Sequence, residues 1–343
     1  MIRLHNDYNR GACKKILEKL AQINGESYDG YGEDTWCEKA TELIREKCKA
    51  PEAAIHFLPG ATQANFIVHA AGLRTIQSVI CPDSGHVYAH EAGSIVNTGH
   101  KLVPLPSTDG KISAEQIREV AASYYNSGEP NYICEPKMVY ISFPTEWGTI
   151  YSEQELREIR KVCDEYEMYL FADGARLGYG LGSVKNDLTL EKMAELTDVF
   201  YIGGTKCGAL FGEALVITNK KLARKFRTYM KQNGAVLAKG WLLGLQFYTL
   251  LENDLYFEIT RKADMLAMKI RDAFAKKGIP FWVESPTNQQ FVILSPQQQD
   301  ILGKNYTFEK TGNTPDGIVA RFCTSWATTE EEVAQLIADI EKL

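Results

Sequence analysis

Three features of the sequence carry residue types and spacings that could do chemistry. The first is Lys206, in Asp198-Val-Phe-Tyr-Ile-Gly-Gly-Thr-Lys-Cys-Gly-Ala-Leu-Phe-Gly212. The apolar, aromatic run 199–202 reads as a buried strand, Gly203 and Gly204 end it, and the lysine follows in a glycine-rich loop with little polar company. Such desolvation lowers a lysine's pKa toward the range in which the free amine attacks a carbonyl, so Lys206 is a candidate Schiff-base lysine; a surface lysine in a hairpin is the plain alternative. The second feature is Asp173, just past an expected strand over 168–172. The third is Pro59-Gly-Ala-Thr-Gln-Ala-Asn65, which turns a strand into a helix whose first N–H groups lie beside small side chains and the Thr62 hydroxyl, a suitable place for a phosphate. Pyridoxal phosphate needs all three, since its phosphate takes amides, its pyridine nitrogen takes a carboxylate and its aldehyde takes an amine. Competing fingerprints fit less well. Gly178-Tyr-Gly-Leu-Gly182 lacks the third glycine of the dinucleotide motif, and Gly203-Gly-Thr-Lys206 lacks Walker A spacing.

The elements around these residues must bring them together. A β-rich run over 138–143 is followed by the capping box Ser152-Glu-Gln-Glu155 and a helix with Leu156, Ile159, Cys163 and Tyr166 on one face, and then by the strand 168–172. That crossover makes the two strands parallel and right-handed. A helix over 189–196 leads to the strand before Lys206, so Asp173 and Lys206 fall on one carboxyl edge, where open parallel sheets bind ligands. Further strands are expected at 53–58, 78–81 and 101–105, with a second capping box at Ser113-Ala-Glu-Gln116. An antiparallel strand over 213–218, a basic helix over 220–231 and an apolar helix over 241–251 follow. After a helix at 257–277 come strands at 279–284, 289–294 and 318–324, and a last helix from 329. The expected fold is α/β. A large domain over 1–245 with a mostly parallel sheet of the aspartate-aminotransferase-like kind (fold type I) precedes a smaller C-terminal α/β domain over 246–343.

Composition narrows the partners. The chain of 343 residues is long enough for two domains, and 45% hydrophobic with 24% charged residues excludes disordered and fibrous classes. A net charge of −6 without any Lys/Arg block argues against nucleic acid and anionic membranes, leaving a small molecule as the default ligand. The eight cysteines include no Cys-x-x-Cys and the six histidines no His-Glu-x-x-His, so neither a disulfide framework nor a metal site is expected. The opening residues lack an apolar core of signal-peptide length, and the stretch 241–251 is too short to span a bilayer, so the expected compartment is the cytoplasm.

The same motifs carry a family resemblance. Asp173-Gly-Ala-Arg-Leu177, Gly204-Thr-Lys206, Pro59-Gly-Ala-Thr62 and His86-Val-Tyr-Ala-His-Glu-Ala-Gly93 resemble, nearly end to end, the low-specificity L-threonine aldolases of the β-eliminating lyase group. The resemblance implies that Asp173 pairs with the pyridine nitrogen, that Lys206 holds the cofactor, and that Gly60, Ala61 and Thr62 contact its phosphate. It also implies that His86 stacks on the ring, and that Arg176 and the small-domain Arg321 hold the substrate carboxylate. Three departures accompany it: Asn6 stands where many members have serine, the phosphate cup has alanine at its middle, and Pro144-Thr-Glu-Trp-Gly-Thr149 puts Glu146 where a histidine is common. The implied reaction is cleavage of L-threonine, L-allo-threonine or a related β-hydroxy amino acid to glycine and an aldehyde, with His86, Glu146 or a water between them as the base. Aminotransfer, β-elimination and cofactor binding without turnover are the alternatives. Glu146, Trp147 and the aromatic loop reaching Tyr31 suggest a pocket for a larger β-substituent. A homodimer or homotetramer is implied as well, with Lys231 a candidate to reach the phosphate of a neighbouring subunit.

Overall fold

The computed structural model describes residues 1–343. Its central element is a seven-stranded sheet of β1 (Ala54–Leu58), β2 (Gln77–Pro82), β3 (Lys101–Leu105), β4 (Glu135–Ser142), β5 (Tyr169–Asp173), β6 (Val199–Gly203) and β7 (Glu213–Ile217). They lie in the order β1-β7-β6-β5-β4-β2-β3. The pairs β2–β3, β2–β4, β4–β5 and β5–β6 are parallel, whereas β7 runs antiparallel to both of its neighbours. Every residue of β2, β6 and β7 is buried, which is why Val79–Cys81, Val199–Ile202 and Ala214–Ile217 read as continuous apolar runs and not as alternations: helices cover both faces. Successive residues still point to opposite sides. Val139, Ile141, Phe200 and Ile202 feed one core, and Met138, Tyr140, Val199 and Tyr201 the other.

The crossovers form as their caps dictate. Ser113 and Ser152 each accept the N–H of the residue three positions on and receive its side chain in return, opening helices Ala114–Tyr125 and Glu153–Glu165. The basic run at 220–231 is two short helices, Lys220–Ala223 and Phe226–Gln232, because Lys225 between them takes the left-handed conformation (φ 58°) and breaks the ladder.

A second, antiparallel sheet consists of β8 (Phe281–Val283), β9 (Gln289–Leu294), β10 (Glu309–Thr314) and β11 (Gly317–Cys323), in the order β10-β11-β9-β8. Its core gathers Leu266, Ile270, Phe274, Val292, Phe322, Val333 and Leu336 together with Leu4 from the start of the chain. The apolar helix Trp241–Leu251, within which the expected boundary between 245 and 246 falls, packs Phe247, Leu250 and Leu251 into the large core. The following helix Leu255–Lys276 spans both, placing Tyr256 and Ala263 in the large core and Ile270 and Phe274 in the small one. All eight cysteines are free thiols. No helix is long and apolar enough to cross a membrane.

Candidate active site

Asp173 is the last residue of β5, and Lys206 follows the end of the parallel neighbour β6, so the sheet delivers both to one edge. Two glycines let the turns after these strands nest. A Cβ on Gly174 would lie 1.7 Å from the Tyr201 carbonyl oxygen, and one on Gly203 would lie 2.5 Å from that of Ala175. With hydrogens there instead, Gly203 N–H donates to Gly174 O at 3.0 Å. The Lys206 loop is held from behind, with Tyr179 OH donating to the Lys206 carbonyl (2.7 Å) and Tyr256 OH to that of Gly203 (3.0 Å). Glu213, the first residue of β7, accepts Gly204 N–H (3.0 Å) and the Thr205 hydroxyl (2.8 Å).

An inner hollow of about 30 Å³ is lined by Ala61, His86, Ser142, Glu146, Asp173, Arg176 and Lys206 among others. His86, Glu146, Arg176 and Lys206 also border an outer cavity of about 710 Å³, whose wall adds Tyr8, His90, Trp147, Phe291, Glu309 and Arg321. Asp173 is buried and accepts three hydrogen bonds, from Tyr140 OH (2.7 Å), Asn65 Nδ2 (2.9 Å) and Ala175 N–H (3.0 Å). Burial works against its charge, but the charge of His86 and the donors on its oxygens, Tyr140 and Ala175 N–H among them, outweigh it and hold the carboxyl below the usual range. Lys206 is pushed the other way. Burial first, and then the charge of Arg176, depress its ammonium, against the pull of Asp7, Asp173 and Glu213.

Glu146 Oε1 accepts the Ser142 hydroxyl (2.6 Å) and the backbone N–H of His86 (2.8 Å), while its Oε2 is buried without a partner. Burial raises its pKa. Arg176 donates through Nε (2.7 Å) and Nη2 (3.0 Å) to the buried carboxylate of Asp7, leaving Nη1 for another acceptor. Arg321 donates to Gln289 Oε1 (3.2 Å) and His5 O (3.0 Å), and pairs with Glu309 directly across the β10–β11 ladder.

Other residues named from the sequence lie elsewhere. Asn6 is not on either wall; its side chain accepts the N–H of Tyr8, and it is Tyr8 that reaches the cavity, with the Lys206 ammonium 6.0 Å from its ring centre. Tyr31 borders a separate hollow beside Arg227 and carries the Lys231 ammonium 4.8 Å from its ring centre, so within one chain neither residue joins Lys206. Gly60 is the N-cap of helix Ala61–Gly72 and Thr62 lies in that helix's first turn; of the three phosphate candidates, only Ala61 lines the hollow. Asp7, Asn65 and Glu213 join the site without a role assigned by any motif of the sequence. An asparagine on an otherwise apolar helix face and an acid inside a buried strand were the available signals.

Pyridoxal phosphate, the group this sheet edge suggests, fits the lining on three counts. Gly60 brings no capping side chain to the helix, so the helix's first N–H groups are open, and a Cβ on Gly60 would meet nothing within 4 Å. Asp173 supplies a carboxylate, and Lys206 supplies a buried amine with depressed pKa.

The mostly parallel sheet with its smaller antiparallel unit has the aspartate-aminotransferase-like fold. The chain superposes with a TM-score of 0.72 on a Thermus thermophilus aspartate aminotransferase mutant, covering 100% of this chain and 91% of the other, at 13% identity. Within that class the chain belongs to the β-eliminating lyase family, whose model matches residues 4–296. It is 30% identical to a low-specificity L-threonine aldolase from a Pseudomonas species, over 98% of this chain and 96% of that protein. It is also similar to the solved structure of a Leishmania major threonine aldolase, at 41% identity with a TM-score of 0.96, covering 100% of this chain and 99% of the other.

Glu213 makes a pH dependence measurable. Burial raises its carboxyl to about 8, so between its ordinary value of 4.5 and that value the folded protein keeps a proton the unfolded chain has released. Stability therefore falls as pH rises through this window. In urea unfolding at pH 5.5 and 8, the protein is expected to lose more stability than Glu213→Gln, by on the order of 2 kcal/mol. Parallel losses in the two proteins would remove Glu213 as the source.

Proposed function

We propose that this protein is a pyridoxal-phosphate-dependent aldehyde-lyase. Its substrate is L-threonine, L-allo-threonine or a related β-hydroxy-α-amino acid, and its products are glycine and an aldehyde. The observation that carries this reading is the single hollow on which Ala61, His86, Asp173 and Lys206 converge. The relatives named threonine aldolases support it.

In this reading the open N–H groups at Ala61 and Thr62 hold the phosphate, Asp173 holds the pyridine nitrogen, the His86 ring covers one face and Lys206 holds the aldehyde. When bound, pyridoxal phosphate supplies the electron sink for the bond broken at the substrate's Cα. The chain supplies everything else. Arg176, its plane fixed by two bonds to Asp7, offers Nη1 to the substrate carboxylate, and Arg321 faces the same cavity from the small sheet. Two cations lining the same cavity orient the substrate, so the bond to be broken is set by position and not by chance rotation. The β-hydroxyl proton goes to Glu146 or His86, or to a water between them. Glu146 suits the task because its Oε2 is unpartnered and burial makes it hold a proton more readily than an exposed glutamate does.

Trp147 packs against Phe291 with ring centres 5.3 Å apart, and with Tyr8 these rings form the apolar part of the outer wall. Covering a substrate ring with such a wall is worth on the order of 2 kcal/mol, more than a tenfold change in preference. A phenylserine is therefore expected to be cleaved with a higher kcat/KM than threonine. Measuring glycine release from L-threonine, L-allo-threonine and the phenylserine isomers tests both statements. A strong preference for threonine defeats the aromatic wall, and glycine from none of them defeats the lyase reading. A cytoplasmic homodimer or homotetramer belongs to the same proposal. Tyr31 and Lys231, placed together outside this chain's own cavity, are then available to a neighbouring subunit's site, and sedimentation velocity decides the state.

A further inference from the structure

Glu91 is a buried acid beside the cavity, its side chain wholly inaccessible although it lies in the connection between the helical turns His86–Ala89 and Ser94–Asn97. The chain turns sharply after it, with Ala92 and Gly93 both left-handed (φ 50° and 75°). Each carboxylate oxygen is engaged. Oε2 accepts the Ser94 hydroxyl at 2.7 Å, and Oε1 accepts Asn65 Nδ2 at 2.7 Å and lies 2.8 Å from His86 Nδ1. The same Asn65 Nδ2 donates its other hydrogen to Asp173 Oδ2 at 2.9 Å. An ionised Glu91 is acceptor-only and offers Oε1 to both the amide and the imidazole. The His86 nitrogen facing it must then carry a hydrogen.

We propose that Glu91 is a positioning residue: it holds the proton of His86 on Nδ1, so that Nε2 is the nitrogen left to the reacting centre, and through Asn65 it ties that choice to the carboxylate of Asp173. This deepens the lyase reading, on which the meaning of "reacting centre" rests. The other charged or titratable groups near His86 are Asp173, Lys206, Glu146, which accepts its backbone N–H, and His90, whose ring centre is 5.7 Å away. Burial opposes a charge on His86, but Glu91 and Asp173 outweigh it and raise its pKa. Glu91→Gln keeps the volume and removes the charge, so it lowers that pKa while leaving the other neighbours in place.

The test is nitrogen NMR of the purified holoenzyme labelled with ¹⁵N-histidine, the His86 signals being assigned by their absence in His86→Gln. Above its pKa, His86 is expected to show a protonated Nδ1 and a bare Nε2. In Glu91→Gln its titration is expected to move down by about one unit, carrying the acid limb of kcat/KM with it. A proton on Nε2 in the unaltered enzyme overturns the proposal, and so does a Glu91→Gln variant in which His86 titrates unchanged. The first measurement needs no variant, so it decides even if Glu91→Gln does not fold. The tautomer is read whether or not glycine is released, and failure of the lyase reading is thereby told apart from failure of this one.

Discussion

Lys206→Ala is expected to lose borohydride-fixable pyridoxal phosphate and to lower kcat/KM by ~10⁴-fold or more, as removal of a covalently acting residue does. The fold should survive. The Lys206 loop is anchored through main-chain atoms, by Tyr179 on the Lys206 carbonyl, Tyr256 on the Gly203 carbonyl and Glu213 on the Gly204 N–H, and all of these persist in the alanine variant. Removing a buried ammonium whose charged form burial disfavours relieves a desolvation cost, so the thermal midpoint of the apoprotein should hold or rise. Loss of activity with an intact unfolding transition separates chemistry from stability. A variant that still fixes cofactor with borohydride and keeps its rate takes Lys206 out of the reaction.

The lysine and the aspartate were legible in the sequence because each breaks its local pattern. Lys206 is a cation in a glycine loop after an apolar strand, and Asp173 an acid at the end of another. Their meeting was legible too, since a strand-helix-strand unit allows one handedness and one shared edge. The side chains that tune the pair were not. Arg176 finds Asp7 across 169 positions and Asn65 finds Asp173 across 108, and no local periodicity encodes a hydrogen bond over such a span. Glu213 was hidden differently, as the single acid of a strand read for its apolar residues. The strand β10 escaped because Glu-Lys-Thr-Gly-Asn-Thr is an edge with no buried face, held by its ladder to β11 and not by a hydrophobic pattern. The aromatic loop at Tyr31 is read from composition alone. Its composition suggests a ligand wall, yet in this chain its ring meets Lys231 and borders a different hollow. Resemblance supplied what periodicity could not, placing Arg176, Arg321 and Glu146 near one centre, and all three line the outer cavity.

Asp173→Ala is expected to retain bound pyridoxal phosphate through Lys206 and the helix N-terminus, yet to lose about 10³-fold in kcat, equivalent to ~4 kcal/mol of barrier. An acid at this point matters only if it is ionised, and it is. Three donors and the charge of His86 hold it below the ordinary carboxyl range against the effect of burial. The carboxylate is thus present throughout the neutral range, and the acid limb of the rate profile should not titrate with Asp173. The structural cost of the substitution is smaller than the kinetic one. It strands one hydrogen of Asn65 in the interior, worth about 1–3 kcal/mol of stability if unsatisfied, and leaves the Tyr140 hydroxyl only its 3.3 Å contact with Ser142 Oγ, unless water enters the space left. Unfolding measurements register that loss separately from kcat under conditions where the protein remains folded. Asp173→Glu tests position against charge, because it restores the carboxylate but moves it by a methylene in a site where Gly174 leaves no slack against Tyr201. A near-normal rate for Asp173→Ala, with cofactor bound, would show that the ring nitrogen does not rely on this acid and that the electron sink is maintained by another group on the wall.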